Sequence, residues 1–259
     1  MQHTITTSKD GSNTLQLTQF GEAYHSTNGA YTEAMHIYIG CGLEHLYRQT
    51  TAPCINIFDV GFGTALNCIL AWVWQQQLHQ MRLPYPKIHY YGIEKYPIPL
   101  IETEQLNYHK IIAQHTNFLP DNLSEIFSQM HNCPWEEDIA IPNLPAPNDT
   151  FPNLGNEITE GHFILHKSCA DIAKLGAEYY GKTKGPAVIF YDTFSPATQP
   201  ELWDEEIFRT IAAGCPAGSI LVTYCSKGTV KQALRNAGFS LERLAGPPGK
   251  RHILRGNLK

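Results

Sequence analysis

The chain predicts a doubly wound α/β fold: a mainly parallel, Rossmann-like sheet with a C-terminal antiparallel hairpin, preceded by a small β-rich cap. Three observations predict it. From residue 54 onward short apolar runs alternate with helix-like stretches, the first run ends in a glycine turn, and the last two runs follow each other as a hairpin.

Residues 1–50 form the expected cap. Ile5 to Leu17, with Lys9-Asp10-Gly11-Ser12 as turn chemistry, predicts a hairpin, and apolar residues at 35, 39, 43 and 46 predict a helix over 32–47. Residues 51–259 form the main domain. Ile55 to Val60 is a buried strand that ends in the glycine turn, and Thr64 to Met81 is the helix after it. Ile88 to Glu94 is a second strand and Ile98 to Gln114 a second helix. A proline-rich insertion at about 119–156, acidic at 136–138, breaks the rhythm and predicts irregular structure. Strands follow at 158–167, 187–192 and 219–224, with helices at 200–213 and 229–237. Phe239 to Leu244 and His252 to Arg255 make the closing pair.

At 259 residues, 42% hydrophobic and 17% charged, the composition is that of one large globular domain, or one domain with an insertion. The longest apolar run, residues 69–74, falls far short of the roughly 18 residues a membrane span needs, and no secretion signal opens the chain. A cytoplasmic, membrane-free protein is the expectation. Seven scattered cysteines without Cys-x-x-Cys predict reduced, mostly buried thiols. Twelve histidines show no ligand-like clustering, so no metal is expected. The net charge of −5 argues against a general nucleic-acid binder, yet residues 227–259 carry eight Lys/Arg against Glu242 alone. That asymmetry suits a local phosphate-binding face, and equally the solvated edges of helices and strands.

In doubly wound sheets ligands sit beyond the carboxyl ends of the strands. Four places qualify. In Asp59-Val60-Gly61-Phe62-Gly63-Thr64-Ala65 two glycines allow close backbone approach, and the next helix offers free N–H groups. Glu94, with Lys95 beside it, follows the second strand, where a carboxylate can accept both hydroxyls of a ribose. A dinucleotide fingerprint would need a third glycine where Leu66 stands and an acid about 20 residues on. Glu94 lies 31 residues beyond Gly63, so S-adenosyl-L-methionine (SAM), which has no pyrophosphate, is the favoured ligand. Asp171 could accept an adenine amino group or merely cap the next helix. Asp192, in Tyr191-Asp192-Thr193-Phe194-Ser195-Pro196, directly follows a buried strand and faces the expected position of the transferable methyl; a turn-forming role before proline is the alternative.

Together these segments resemble the methyltransferase domain of the MnmC family, which modifies the wobble uridine of tRNA. The resemblance runs from about residue 20 to 256. It rests on the glycine turn, Glu94, Asp192-Thr193-Phe194-Ser195-Pro196 with Gln199-Pro200-Glu201-Leu202-Trp203, Tyr24-His25-Ser26 with Gly29 and Glu33, and Gly249-Lys250-Arg251. It implies a class I fold, SAM contacts from Asp59, Gly61, Gly63, Glu94 and Asp171, and Asp192 as the active-site acid. The implied reaction methylates the primary amine of 5-aminomethyl-(2-thio)uridine. The chain departs from the family at Ala65 and Thr193, where glycine is usual, and at His252-Ile253. The flavin-dependent oxidase domain of two-domain members has no counterpart before Lys259, so a standalone form is expected, partnered with a separate oxidase or the upstream uridine-modifying enzyme.

Methyl transfer to an amine needs alignment more than acid–base chemistry, and a well-held pair gains on the order of 7–11 kcal/mol. Asp192 is expected mainly to orient the amine and stabilise the forming cation, and to accept a proton if burial raises its pKa. Tyr24 or Phe194 would stack on the extruded nucleotide, and Lys231, Arg235, Lys250 and Arg251 would contact phosphates of the tRNA anticodon region. Methylation of a small amine or a protein, and a non-catalytic SAM-fold module, are the rival readings.

Overall fold

Apolar runs buried on both faces become strands of a single sheet, and the helices between them cover it on either side. The computed structural model describes residues 3–19, 21–116, 122–144, 162–182 and 185–259. A two-stranded antiparallel sheet, β1 (His3–Thr7) and β2 (Asn13–Leu17), precedes an eight-stranded one. The latter comprises β3 (Cys54–Val60), β4 (Lys87–Glu94), β5 (Asp138–Ile141), β6 (Phe163–Cys169), β7 (Ala187–Tyr191), β8 (Ile220–Thr223), β9 (Phe239–Ala245) and β10 (His252–Leu258). Its order is β5-β6-β4-β3-β7-β8-β10-β9. The five inner strands from β6 to β8 are parallel, while β5 and β10 run against them and β9 pairs antiparallel with β10 at the edge. The chain moves outward from β3 through β4 to β6, then returns to the other side of β3 as β7. The switch point therefore lies between the carboxyl ends of β3 and β7, which carry Gly61 and Asp192.

The period of two along a strand sorts the side chains into two layers. Ile55 and Ile57 of β3, Tyr90 of β4 and Phe190 of β7 join the core under α3 (Leu66–Gln80) and the N-terminal helices. Phe58, Val60, Ile189 and Tyr191 face the opposite layer, with Phe208 of α8 (Glu205–Gly214) and Leu234 of α9 (Gly228–Asn236). Asp59 shares the parity of Ile57, and Asp192 continues that of Phe190. Both carboxyls therefore point toward α3.

Several elements differ from expectation for identifiable reasons. The helix expected at 32–47 starts as α1 (Ala30–Ala34), widens into a π-helix over Met35–Glu44 and ends as α2 (His45–Gln49). In the widened stretch Gly42 lies flat on the sheet, where an added Cβ would stand 2.9 Å from Val222. Helix α3 begins at Leu66, two residues later than expected, because Ala65 is left-handed (φ 59°). The helix expected at 98–114 is broken into α4 (Leu100–Thr103) and α5 (Tyr108–His115). The break holds Asn107, whose amide accepts from Asn13 N and donates to Gly11 O, docking the hairpin turn. The insertion is not wholly irregular: it contains α6 (Leu123–Asn132) and edge strand β5. Its residues 117–121 and 145–161, with the start of the strand expected at 158, lie outside the described residues. A short helix α7 (Ala177–Tyr180) was not expected, and the helix expected at 200–213 is a 3-10 turn (Pro200–Trp203) followed by α8, which Asp204 caps. All seven cysteines are free, with four buried, Cys41 and Cys54 half-buried and Cys169 exposed. Among the described residues no helix is long and apolar enough to cross a membrane.

Candidate active site

The turn after β3 is built for close contact with the end of β7. Gly61 has φ 97°, and a Cβ there would stand 2.5 Å from the Asp192 carbonyl oxygen. Asp192 N donates to Val60 O at 3.0 Å, closing the two strand ends together. The N–H groups of Gly61 and Phe62 both reach Ile93 O (3.0 Å each), and Gly63 N donates to the Glu94 carboxylate (3.1 Å). Tyr96 N reaches the other Glu94 oxygen at 2.9 Å. Burial raises the Glu94 carboxyl, and these backbone donors oppose that rise. Each oxygen keeps lone-pair capacity toward the space in front of it.

That space is a cavity of about 200 Å³ at the carboxyl ends of β3, β4, β6 and β7. Val60, Ile93, Ile172 and Leu202 give it apolar walls, while Glu94, Asp171, Asp192 and Glu201 bring carboxylates. Of the residues expected to hold a ligand, Gly61, Gly63, Glu94, Lys95, Asp171, Asp192, Tyr24 and Phe194 all line it. Asp171 caps the following 3-10 turn through Ala173 N (3.1 Å) and also pairs with Lys95 at 2.9 Å, so the capping alternative is present in the molecule. That ammonium is the chief reason its carboxyl lies below the usual range.

Three expected cofactor contacts are not on the cavity wall. Asp59 is fully buried behind it, taking bonds from Tyr90 OH (2.5 Å) and the Asn67 amide (3.4 Å), and burial drives its carboxyl well upward. Strand parity is the cause, since position 59 faces α3. Phe62 turns back over Gly92, where a Cβ would clash with its ring at 2.3 Å, and lines a second cavity with Trp135 and Lys167. Thr64 is buried, taking a bond from Tyr108 OH (3.1 Å) and standing 3.4 Å from His25 Nε2.

Asp192 accepts from Tyr38 OH at 2.6 Å and from Asn67 Nδ2 at 2.9 Å. Burial raises its carboxyl from 3.8 to about 6 against those two donors, with Glu33 raising and Lys250 lowering it further. A carboxyl raised that far can exchange a proton near neutral pH.

The N-terminal segment closes the front. Tyr24 lies over Gly63 and meets Phe194 edge-on (5.0 Å, 72°), while Leu17 adds an apolar edge. Glu22 accepts from Ser195 N (3.0 Å), Ser195 Oγ (3.2 Å) and Thr198 Oγ1, strapping the segment to the loop after Asp192. Leu17, Ile93, Tyr96 and Ile172 also line the cavity, and sequence reasoning missed them, although each lies at or just beyond a strand end. Gln199, Glu201 and Leu202, noted in the sequence only as part of the block that carries the resemblance, line it too.

The basic residues do not act alike. Lys231 and Arg235 sit on α9, and Arg235 and Arg251 are exposed. Lys250 turns inward, 2.5 Å from Glu33 and 4.6 Å over the Tyr224 ring, so it is not the free phosphate contact expected. Arg255 is buried and paired with Glu242 at 2.7 Å. Among the described residues no group of three or more His, Cys, Asp or Glu is placed to hold a metal ion.

Comparison with known proteins bears on the ligand class. A family described as S-adenosyl-L-methionine-dependent methyltransferase matches residues 157–259. The chain is also 26% identical over 242 residues to the tRNA 5-methylaminomethyl-2-thiouridine biosynthesis bifunctional protein MnmC of Delftia acidovorans, covering 91% of this chain and 32% of that protein. Over nearly its whole length the chain is similar to that MnmC protein. The protein of the same name from Burkholderia mallei is 28% identical over 239 residues, 92% of this chain and 33% of its own length. The chain thus spans about a third of the length of these relatives. The crystal structure of MNMC2 from Aquifex aeolicus has the same fold, with a TM-score of 0.70, 22% identity, and coverage of 100% of this chain and 71% of the other.

Proposed function

We propose that this MnmC-like domain binds SAM in the cavity between Glu94, Asp171 and Asp192, and transfers its methyl group to the primary amine of 5-aminomethyl-(2-thio)uridine at the wobble position of tRNA. The observation that carries the reading is the contact of Gly61 with Asp192, which brings the glycine turn and the acceptor-side carboxylate to one cavity.

The residues present fit the cofactor. Glu94 offers lone pairs to a ribose diol, and Ile93, Ile172 and Leu202 offer an apolar slot for an adenine, with Asp171 and Glu201 at its polar rim. Bound SAM supplies a methyl on a sulfonium, whose C–S electron pair stays on sulfur as the new C–N bond forms. The rest falls to the protein. Gly61 and Gly63 leave room for the donor beside Asp192, and Tyr24 and Phe194 shape the apolar entrance through which an extruded base would approach. Asp192 orients the amine and takes its proton, beside the N-terminal segment that Glu22 straps to the following loop. Alignment in this site is the main source of acceleration. Exposed Arg251, Arg235 and the partly exposed Lys231 would meet the anticodon-region phosphates. The chain would act in the cytoplasm, where a separate oxidase or the upstream modifying enzyme supplies the aminomethyl group.

Nucleoside mass spectrometry of tRNA from cells lacking this protein tests the reading. The primary-amine nucleoside should accumulate and its methylated form disappear; an unchanged nucleoside profile would overturn it.

A further inference from the structure

We propose that Tyr38 and Asn67 are positioning residues for the transfer: together they fix the Asp192 carboxylate in the orientation from which it takes the proton of the acceptor amine. This rests on the function proposed above and adds to it two residues that do not line the cavity.

The geometry comes from three separate elements. Tyr38 stands in the π-helical stretch, fully buried, with its ring 5.4 Å from Phe190 and its hydroxyl 2.6 Å from Asp192 Oδ1. π-helical turns are uncommon and concentrate at functional sites. Asn67 stands in the first turn of α3, 3% exposed, and its amide nitrogen reaches Asp192 Oδ2 at 2.9 Å and Asp59 Oδ1 at 3.4 Å. Each carboxylate oxygen thus has one donor from the protein and keeps further acceptor capacity. Rotating the carboxylate would break one bond or both in a buried place, where an unmet polar group is costly. The side-chain oxygen of Asn67 is itself buried without a partner. The amide is therefore held by what its nitrogen does, which is to bridge the two acids.

The consequence is a directed lone pair. As the amine nitrogen forms its bond to the methyl carbon and the C–S pair departs on sulfur, the N–H proton passes to Asp192. The titratable groups packed around Asp192 are engaged with other partners. Glu33 of α1 is engaged by Lys250 of the β9–β10 turn, Tyr224 after β8 donates to Thr193 O, and Tyr90 of β4 donates to Asp59. Tyr38 and Asn67 favour the charged carboxylate by donating to it, whereas burial and Glu33 oppose it.

The test is Tyr38→Phe, which removes a single hydroxyl. We expect turnover at pH 7 to fall at least tenfold while SAM affinity and KM for tRNA stay within twofold, and the acid limb of the kcat profile to move to higher pH. Carbon-13 NMR of labelled aspartate carboxyls reads the same effect without turnover, because Asp192 should titrate at higher pH in the variant. Asn67→Ser should act in the same direction. An unmoved Asp192 titration with unchanged kcat would overturn the positioning role, as would a loss carried by KM alone. A wild-type chain that methylates no tRNA would instead overturn the function proposed above, and the NMR titration would still decide the Tyr38 contact.

Discussion

Replacing the Asp192 carboxyl should make the protein more stable as it removes the proposed activity. Raising Asp192 from 3.8 to about 6 corresponds to about 3 kcal/mol, at about 1.4 kcal/mol per pH unit. The native carboxyl holds its proton more tightly than the unfolded one. Stability therefore falls as pH rises from about 4 to about 6, and the whole cost is in place above about pH 7. Asp192→Asn keeps the shape and removes the charge. The new amide can still accept from Tyr38, and a flip of Asn67 would present its partnerless oxygen to the new N–H group. The variant should melt at nearly the wild-type temperature near pH 4, and about 6–12 °C higher at pH 8, taking about 2–4 °C per kcal/mol for a domain of this size. SAM affinity should persist, while turnover drops by about 100-fold or more through loss of the proton acceptor. Differential scanning calorimetry across pH, with a methyl-transfer assay, checks both. A variant less stable than wild type at pH 8, or a stability difference that ignores pH, would refute the reasoning that burial sets this carboxyl.

Three further outcomes follow from the same geometry. Gly61→Ala forces a side chain into φ 97° and against the Asp192 carbonyl, so it should cost about 2–4 kcal/mol and abolish SAM binding by calorimetry. Gly63→Ala, at φ 46° and 3.1 Å from the movable Tyr24 ring rather than against backbone, should cost less. His25 and His131 are pushed down to about 4, chiefly by burial, so each remains neutral when folded but gains a proton when unfolded below about pH 6.5. Stability from these two rises with pH between about 4 and 6.5, and His25→Asn should flatten that limb in a pH series of melting curves. Arg251→Ala should lower the salt dependence of tRNA binding by about one in log–log slope. Lys250→Ala should leave that slope unchanged and lower the melting temperature by stranding Glu33.

What could be read in advance, and what could not, divides along a physical line. The glycine turn, Glu94, Asp171 and Asp192 were legible because apolar runs mark strand ends, and a doubly wound sheet brings those ends to one edge. Such an argument locates a residue along the chain but does not aim its side chain. Asp59 shows the gap: it sits at the right strand end, yet the parity of β3 turns it toward Tyr90 and Asn67 and away from the cavity. Parity could have been counted from Ile55 and Ile57, but only once the side of the sheet facing the cavity was known. Lys250 fails for another reason. Its partner, Glu33, lies 217 residues away, so an exposed basic segment in sequence becomes an internal ion pair through a contact that local pattern does not encode. Tyr38 was hidden twice, because a π-helix changes which residues share a face and because its target lies 154 residues on. Tyr38 and Asn67, which reach Asp192 through buried polar bonds, are thus the least legible of all. If their role holds, the chemistry of this site depends as much on the helix laid over the sheet before β3 as on the turn that follows it.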